Sequence, residues 1–526
     1  MEIINNAALK LSSRADLSAY INSLIPNSQV LPDGVLVHWE HAEAAELAKI
    51  MDKYRPKYKV DIPSPMHRDY TWPGIYTPFK HQRETAAFLS LRNKAFCFSQ
   101  AGTGKTSAAL WAADYLMGLG LVKKVLIICP LSIMYSAWQT ELFKTVMHRK
   151  GVVAYSKNPK KRLELIESDN DFYILNYDGI ASSFNALNAK RFDLIIVDEC
   201  NAYKNASTKR WRTLAKMLQP GGRLWLMTGT PASQSPVDAF GLGRLVSPDR
   251  TPRYVTAWRE QVMTQVSRFT WVPKRDCTEK VFNILQPAIR YTKAECLDLP
   301  PVLHQTREIS LSVQVARFYK DLKSKLLIEA AGQEISAVNA AAALSKLLQI
   351  SGGAVYTDQR DVIEFDVTPR LAALHEILDE CTAKVVIFVP FLHTIPVVTD
   401  YLTANGYTNA VIHGDVTASK RGELIKQFQE DADPRVLVCQ PHTMSHGVTL
   451  TAADTIVFWS PVLSVETYLQ CIARIDRIGQ VNSMTIIKLV GSEVEKRVYR
   501  MLDSKITHHN SLVDLYREEL NNVEQE

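Results

Sequence analysis

The 526-residue sequence contains no Cys-x-x-Cys pair, and its eight cysteines are scattered along the chain. That pattern excludes a zinc ribbon or a disulfide scaffold and reads as reduced, mostly buried thiols of a cytoplasmic protein. Nor is there an apolar run near the roughly 20 residues that a membrane-crossing helix needs. The most apolar candidate, Ala108 to Val122, is interrupted by Asp114. The start, Met1-Glu2-Ile3-Ile4-Asn5-Asn6, has neither a basic nor an apolar stretch, so no signal peptide and no membrane partner are expected. Charge of one sign is also missing: 61 Lys and Arg face 55 Asp and Glu, a net charge of +6. Such a balance does not announce nucleic acid, although a local basic groove fits within it. No low-complexity tract and no repeat at a solenoid period is present. The remainder is ordinary globular composition, 46% hydrophobic and 22% charged, in a chain too long for one core.

Against that background one stretch stands out, Gln100-Ala101-Gly102-Thr103-Gly104-Lys105-Thr106. It follows an apolar run, Ala95 to Phe98, and opens a helical pattern from Ser107 to Ala113. Strand, glycine-rich loop and helix in that order form a phosphate cradle, because backbone N–H groups and the helix N-terminus converge on an anion. Lys105 is expected to reach the β- and γ-phosphates of a nucleotide, and the Thr106 hydroxyl to hold Mg²⁺. Ser99 stands where the strict pattern has its first glycine. An ordinary glycine-rich loop is the plain alternative; Gly-Lys-Thr at a strand-to-helix junction argues against it.

A second apolar strand, Leu194 to Val197, runs into Asp198-Glu199-Cys200-Asn201. A carboxylate at the C-terminal end of a buried strand is placed beside such a loop, so Asp198 is expected to complete the Mg²⁺ shell. Glu199 is expected to act as the base that orients and deprotonates water. Near the C-terminus, Arg474 and Arg477 are spaced i, i+3, which on a helix gives one face. Two guanidinium groups on one face suit phosphate oxygens, and either could serve as an arginine finger.

Apolar strands alternate with helical stretches in two blocks. The first has strands at 95–98, 124–129, 172–175, 194–197 and 224–227; the second at 385–389, 410–412, 436–439, 455–458 and 485–489. Val-, Ile- and Leu-rich runs between helices predict parallel sheets covered on both faces. The expected fold is α/β, with a small α+β domain at 1–75, a first lobe at 76–250, a mostly helical insertion and linker at 251–367, and a second lobe with terminal helices at 368–526. The N-terminal segment is expected to contain a strand at 35–38 and a helix at 42–54.

Taken together, these motifs resemble the Swi/Snf branch of helicase superfamily 2, from Tyr76 onward. Thr77-Pro78-Phe79-Lys80-His81-Gln82 is similar to the adenine-sensing Q motif, and Cys129-Pro130-Leu131-Ser132 with Trp138 to motif Ia. Asp198 to Asn205 resembles motif II, Thr228-Gly229-Thr230-Pro231 motif III, and Arg290 to Lys293 with Asp298 to Pro301 the entry to the middle region. His413-Gly414-Asp415 resembles the segment after motif IV, His446-Gly447-Val448-Thr449 motif V, and Gln470 to Gln480 motif VI. The sequence departs from the family at Cys200-Asn201, which replaces Ala-His, and at Trp459-Ser460-Pro461, a variant similar to compact prokaryotic or viral members. Asn201 can still donate and accept a hydrogen bond.

The resemblance implies two RecA-like lobes and a monomeric ATPase driven by duplex or branched DNA, using ATP and Mg²⁺. It implies nucleotide contacts from Gln82, Gly102, Thr103, Gly104, Lys105, Thr106 and Gly447. Nucleic-acid contacts are implied at Ser132, Trp138, His413, Gly414, His446 and Thr449, and coupling roles for Asn201, Thr228, Thr230 and Gln470. Rival expectations are a strand-separating DNA or RNA helicase, an ATP-gated clamp on DNA, and a motor subunit of a restriction or repair complex that docks a protein partner through residues 1–75.

Overall fold

The computed structural model describes residues 1–54, 61–232, 235–267, 271–296, 300–331, 337–356, 361–444, 448–477 and 479–506. The chain divides into two compact units, the described part of the first running to Cys296 and that of the second from residue 300 to 506. Among the described residues no helix is long and apolar enough to cross a membrane.

The first unit is built on a seven-stranded sheet. Its spatial order is Ala288–Ile289, Lys94–Cys97, Arg223–Met227, Leu194–Val197, Val125–Cys129, Phe172–Asn176 and Gly151–Val153, and every pairing is parallel. Val125–Cys129 and Leu194–Val197 are buried at every position, as central strands with helices on both faces must be. Two apolar cores lie on the two faces, one around Phe96, Phe98, Leu126 and Ile195, the other around Trp111, Trp225, Ile127 and Ile196.

The N-terminal segment is more than the expected strand and helix. It forms a four-stranded antiparallel sheet, in the order Glu2–Ile4, Ala8–Ser12, Gly34–His38, Gln29–Leu31, with helices Ala15–Leu24 and His41–Tyr54. Its core includes Leu91 of the main body. A buried, two-pronged ion pair fastens it: Arg92 donates to the Asp52 carboxylate at 2.9 and 3.0 Å. The Trp39 indole donates to Pro63 O at 2.8 Å.

The second unit carries a six-stranded, all-parallel sheet in the order Val302–Glu308, Met484–Val490, Ala453–Phe458, Lys384–Phe388, Val436–Cys439, Asn409–Ile412. The architecture is thus two open parallel-sheet α/β lobes, as the resemblance implies.

The stretch 251–367, expected to be mostly helical, differs. Helices Val313–Ala331 and Ala337–Gly352 lie within it, but so do Ala288–Ile289, which extends the first sheet, and Val302–Glu308, which edges the second. Val-Leu-His-Gln-Thr-Arg-Glu is polar because an edge strand needs backbone hydrogen bonds and only a narrow apolar contact. Such a strand has no apolar run to reveal it. Two antiparallel ribbons, Met263–Gln265 with Trp271–Pro273 and Ala354–Tyr356 with Val362–Glu364, complete the region.

Candidate functional site

In the first unit, three neighbouring parallel strands end on the same edge of the sheet. Lys94–Cys97 leads into the glycine-rich loop, Arg223–Met227 into Thr228–Pro231, and Leu194–Val197 into Asp198-Glu199. Strand order therefore wedges Thr228–Pro231 between the loop and the acids. Ligands bind at the carboxyl edge of such sheets.

The loop is shaped for an anion. Gly102 and Gly104 adopt φ of 89° and 78°, the left-handed region that suits glycine. A Cβ at Gly104 would lie 1.9 Å from Gln82 Nε2, so the Gln82 amide rests directly on the loop. The other end of that amide accepts from Phe79 N at 2.9 Å and closes the start of helix Lys80–Ser90. The His81 ring nitrogen Nε2 bonds Thr103 O at 2.8 Å, and the Thr103 hydroxyl turns inward to Gln100 O at 2.9 Å. Helix Lys105–Gly118 starts at the loop and aims its N-terminus at it, with Thr106 half-buried in the first turn. Lys105 Nζ donates to Ser99 O at 2.7 Å and Gln100 O at 3.1 Å, and an ammonium has a third proton to give.

Ser99 explains its own departure from the glycine pattern. Its φ is not positive, so a side chain is tolerated, and its hydroxyl accepts from Tyr291 N at 3.0 Å. The segment after Ala288–Ile289 is thereby laced to the loop, with Lys293 N donating to Gln100 Oε1 at 2.9 Å. Tyr291 also donates to the Glu84 carboxylate of the Q-motif helix.

Asp198 is buried, and both of its oxygens are held. Oδ1 accepts from Glu199 N at 3.0 Å and Oδ2 from the Trp138 indole at 2.9 Å. Burial, and then the Glu199 charge, push its carboxyl above the usual carboxylate range; Lys105 and the Trp138 bond act the other way. A buried carboxylate in that state gains from a cation beside it, so the site fits a divalent ion. Glu199 holds a left-handed backbone, φ 47° and ψ 54°, which is strained for a residue other than glycine and typical of functional positions. The Thr228 hydroxyl donates to Glu199 Oε2 at 3.3 Å. The Asn201 amide donates to Thr228 Oγ1 at 3.2 Å and to Thr230 O and Oγ1 at 3.1 and 3.2 Å. Asn201, Thr228 and Thr230, named for coupling, are thus one hydrogen-bonded cluster ending on Glu199. Gly229 lets that turn approach the loop: a Cβ there would lie 3.3 Å from Ala101 N.

Trp138, expected at nucleic acid, requires correction. It is fully buried, packed among apolar side chains, and spends its one donor on Asp198. Ser132 lies in the turn Leu131–Ile133, and its side chain is outside the described residues.

In the second unit, the expectation that Arg474 and Arg477 share a helix face is also corrected. Helix Val465–Ile472 ends before them, and they occupy the irregular turns that follow. They still converge: Arg474 Nη1 and Arg477 Nη1 donate to Val448 O at 3.1 and 3.2 Å. Arg474 is buried and also donates to Gln470 O at 2.8 Å, whereas Arg477 is half-buried. Gln470 itself is buried, 3.5 Å from Glu466 Oε1. Thr449 is half-buried next to Val448; His446 and Gly447 lie outside the described residues. His413 and Gly414 form a turn beyond strand Asn409–Ile412, where Asp415 N donates to His413 Nδ1 at 3.4 Å and Gly414 is exposed.

The profile of the SNF2-related domain matches residues 45–353, more than half of the sequence. The chain belongs to the SNF2-related family. The profile of the helicase conserved C-terminal domain matches residues 369–479. Among curated relatives, the mouse chromodomain-helicase-DNA-binding protein 1-like is 27% identical over 80% of this chain and 48% of its own length. The human DNA annealing helicase and endonuclease ZRANB3 is 25% identical, over 81% and 39%. An uncharacterized ATP-dependent helicase of Mycoplasma genitalium is 24% identical, over 81% and 41%. The chain spans less than half the length of these relatives. Among solved structures, the Sulfolobus solfataricus SWI2/SNF2 ATPase core in complex with dsDNA is 19% identical, with a TM-score of 0.42, covering 86% of this chain and 96% of that one.

Within this SNF2-related chain, the supporting roles of two residues escaped sequence reasoning. Tyr177 is the first residue after strand Phe172–Asn176, on the same sheet edge, and its hydroxyl donates to Asp198 O at 2.7 Å and lies 3.1 Å from Glu199 O. The other is Tyr291, described above. Each is a polar aromatic at a strand end, which was the available signal; only strand order shows what it reaches.

The cluster around Asn201 carries a prediction. Asn201→Ala removes three hydrogen bonds from a partly buried network, worth about 1–2 kcal/mol in total. ATP turnover stimulated by DNA should fall roughly five- to thirty-fold. Nucleotide affinity, measured by equilibrium titration, should hold within a few-fold, because the loop contacts are untouched.

Proposed function

We propose that the chain is an ATPase driven by DNA, which spends ATP hydrolysis on moving along duplex or branched DNA. The single observation that supports this most is the convergence of Lys105, Asp198, Glu199 and the Asn201–Thr228–Thr230 cluster on one sheet edge in a chain of the SNF2-related family. Lys105 and the backbone N–H groups of the loop would bind the β- and γ-phosphates. Thr106 and Asp198 would hold Mg²⁺, which when bound supplies neutralisation of phosphate charge. Glu199, oriented by Thr228, would take the proton of the attacking water. The water oxygen would bond the γ-phosphorus as the bond to the β,γ-bridging oxygen breaks, releasing ADP. Trp138 and Tyr177 hold Asp198 and the backbone around it, so the acids need not reorganise during the step. Nucleic acid would be held mainly through its phosphates, by the segment after Pro130, by the His413–Gly414 turn and by the motif V segment.

The test is ATP turnover against single-stranded, duplex and forked DNA and against RNA. Duplex or forked DNA should stimulate most, and strand displacement on forks should be poor. Affinity should fall with salt at a log–log slope of about −0.9 per phosphate contacted. Stimulation by RNA alone, or a flat salt dependence, would overturn the duplex reading.

A further inference from the structure

Trp138 joins two parts of the molecule that the proposed reaction must keep in step. It lies in Met134–Gln139, a stretch of π-helix that follows the 3-10 turn Leu131–Ile133. A π-helical turn is rare and commonly marks a functional position, because it re-aims side chains at a cost in backbone geometry. Here it separates two faces. Ile133, Met134 and Trp138 are buried in the core, while Leu131 and Tyr135 are about half exposed, at 48% and 51%. Thr140 Oγ1 donates to Tyr135 O at 2.9 Å and pins the end of the stretch. From the buried face the indole donates to Asp198 Oδ2 at 2.9 Å.

An indole has one N–H and no acceptor, so this bond has no substitute within the side chain. The other Asp198 oxygen takes its bond from the backbone of the next residue, which moves with Asp198 itself. Trp138 is therefore the side chain that refers the orientation of the carboxylate to a different segment of the chain. Trp138 belongs to 134–139 and its ring is fully buried, so a shift of that stretch bears directly on the bond to Asp198. In the DNA-driven reading, on which this inference rests, the exposed side of this segment is a nucleic-acid contact.

We propose that Trp138 is a positioning residue that couples nucleic acid bound at 131–139 to the nucleotide site through its hydrogen bond to Asp198. The coupling is reciprocal: DNA tightens nucleotide binding and nucleotide tightens DNA binding by the same factor.

Trp138→Phe tests it, keeping an aromatic in the core and deleting the donor. The dissociation constant of a slowly hydrolysed ATP analogue is measured by titration at fixed Mg²⁺, with and without saturating duplex DNA, together with DNA-stimulated turnover. The wild-type ratio of the two constants should be about tenfold or more. In Trp138→Phe it should fall to near one, and stimulation of turnover should fall with it. Met66→Ala, a fully buried member of the same core that lies outside 131–139, serves as the packing control: it should lower the melting temperature yet keep the wild-type ratio. A wild-type ratio retained by Trp138→Phe overturns the proposal, as does an equal loss in Met66→Ala, which would make the effect one of packing. If the wild-type enzyme itself shows no response to DNA, it is the DNA-driven reading that fails.

Discussion

Lys105→Ala should abolish ATP turnover, with and without DNA. The ammonium is the one mobile positive charge in the loop, and it is already held over the cradle by Ser99 O and Gln100 O at 2.7 and 3.1 Å. Alanine keeps the helix start, because it is the best helix former and the backbone N–H groups remain. It takes away the charge that would meet the β- and γ-phosphates, where charge-assisted bonds are roughly twice as strong as neutral ones. The fold should survive, since Lys105 is half-buried and its ammonium bonds two carbonyls of the loop itself. A melting temperature close to wild type and unchanged DNA binding at moderate salt would show that the loss is chemical. Turnover within a few-fold of wild type would remove the nucleotide site from this loop.

Arg477→Ala should cut DNA-stimulated turnover by about 10³–10⁵ while changing ATP affinity little, the size associated with an arginine finger. The finger role comes from the family's motif VI, and the two arginines are ranked by their surroundings. Arg474 is buried, with Nε on Gln470 O and Nη1 on Val448 O, so it supports the turn. Arg477 is half-buried and contacts Val448 O through Nη1. Arg474→Ala should therefore lower stability as well as activity, whereas Arg477→Ala should leave the melting temperature nearly unchanged. Lysine at 477 should rescue poorly, because an ammonium does not reproduce the planar fork of a guanidinium. Single-turnover rates, with nucleotide affinity measured separately, decide the matter. An Arg477→Ala enzyme that turns over normally would exclude a finger role for this residue.

Much of the fold was legible because apolar periodicity and glycine placement report it directly. Strands 194–197 and 436–439 are found where continuous apolar runs predict them, since a central parallel strand is buried on both faces and must be apolar throughout. The glycine-rich loop was legible because left-handed backbone leaves few choices of residue. Val302–Glu308 was not, because an edge strand is defined by its partner, Met484–Val490, some 180 residues away in sequence. Nor was the true end of the helix before Arg474, since i, i+3 spacing is compatible with a helix and does not require one.

By itself, then, the sequence determined the two parallel-sheet lobes, the loop at Gly102–Thr106, the acids at Asp198 and Glu199, and membership of the family through the order of its motifs. Each of these is local, carried by a few consecutive residues whose side chains or backbone freedom the chemistry demands. Only the tertiary structure decided that Thr228–Pro231 stands between loop and acids, because strand order 94–97, 223–227, 194–197 is set by sheet assembly. The same assembly brings Asn201 to Thr228 and Tyr177 to Asp198. It also turned Trp138 from an expected nucleic-acid contact into the anchor of Asp198. Indole is apolar over most of its surface with one donor at its edge, so it suits a surface and a core alike, and burial beside an acceptor settled which.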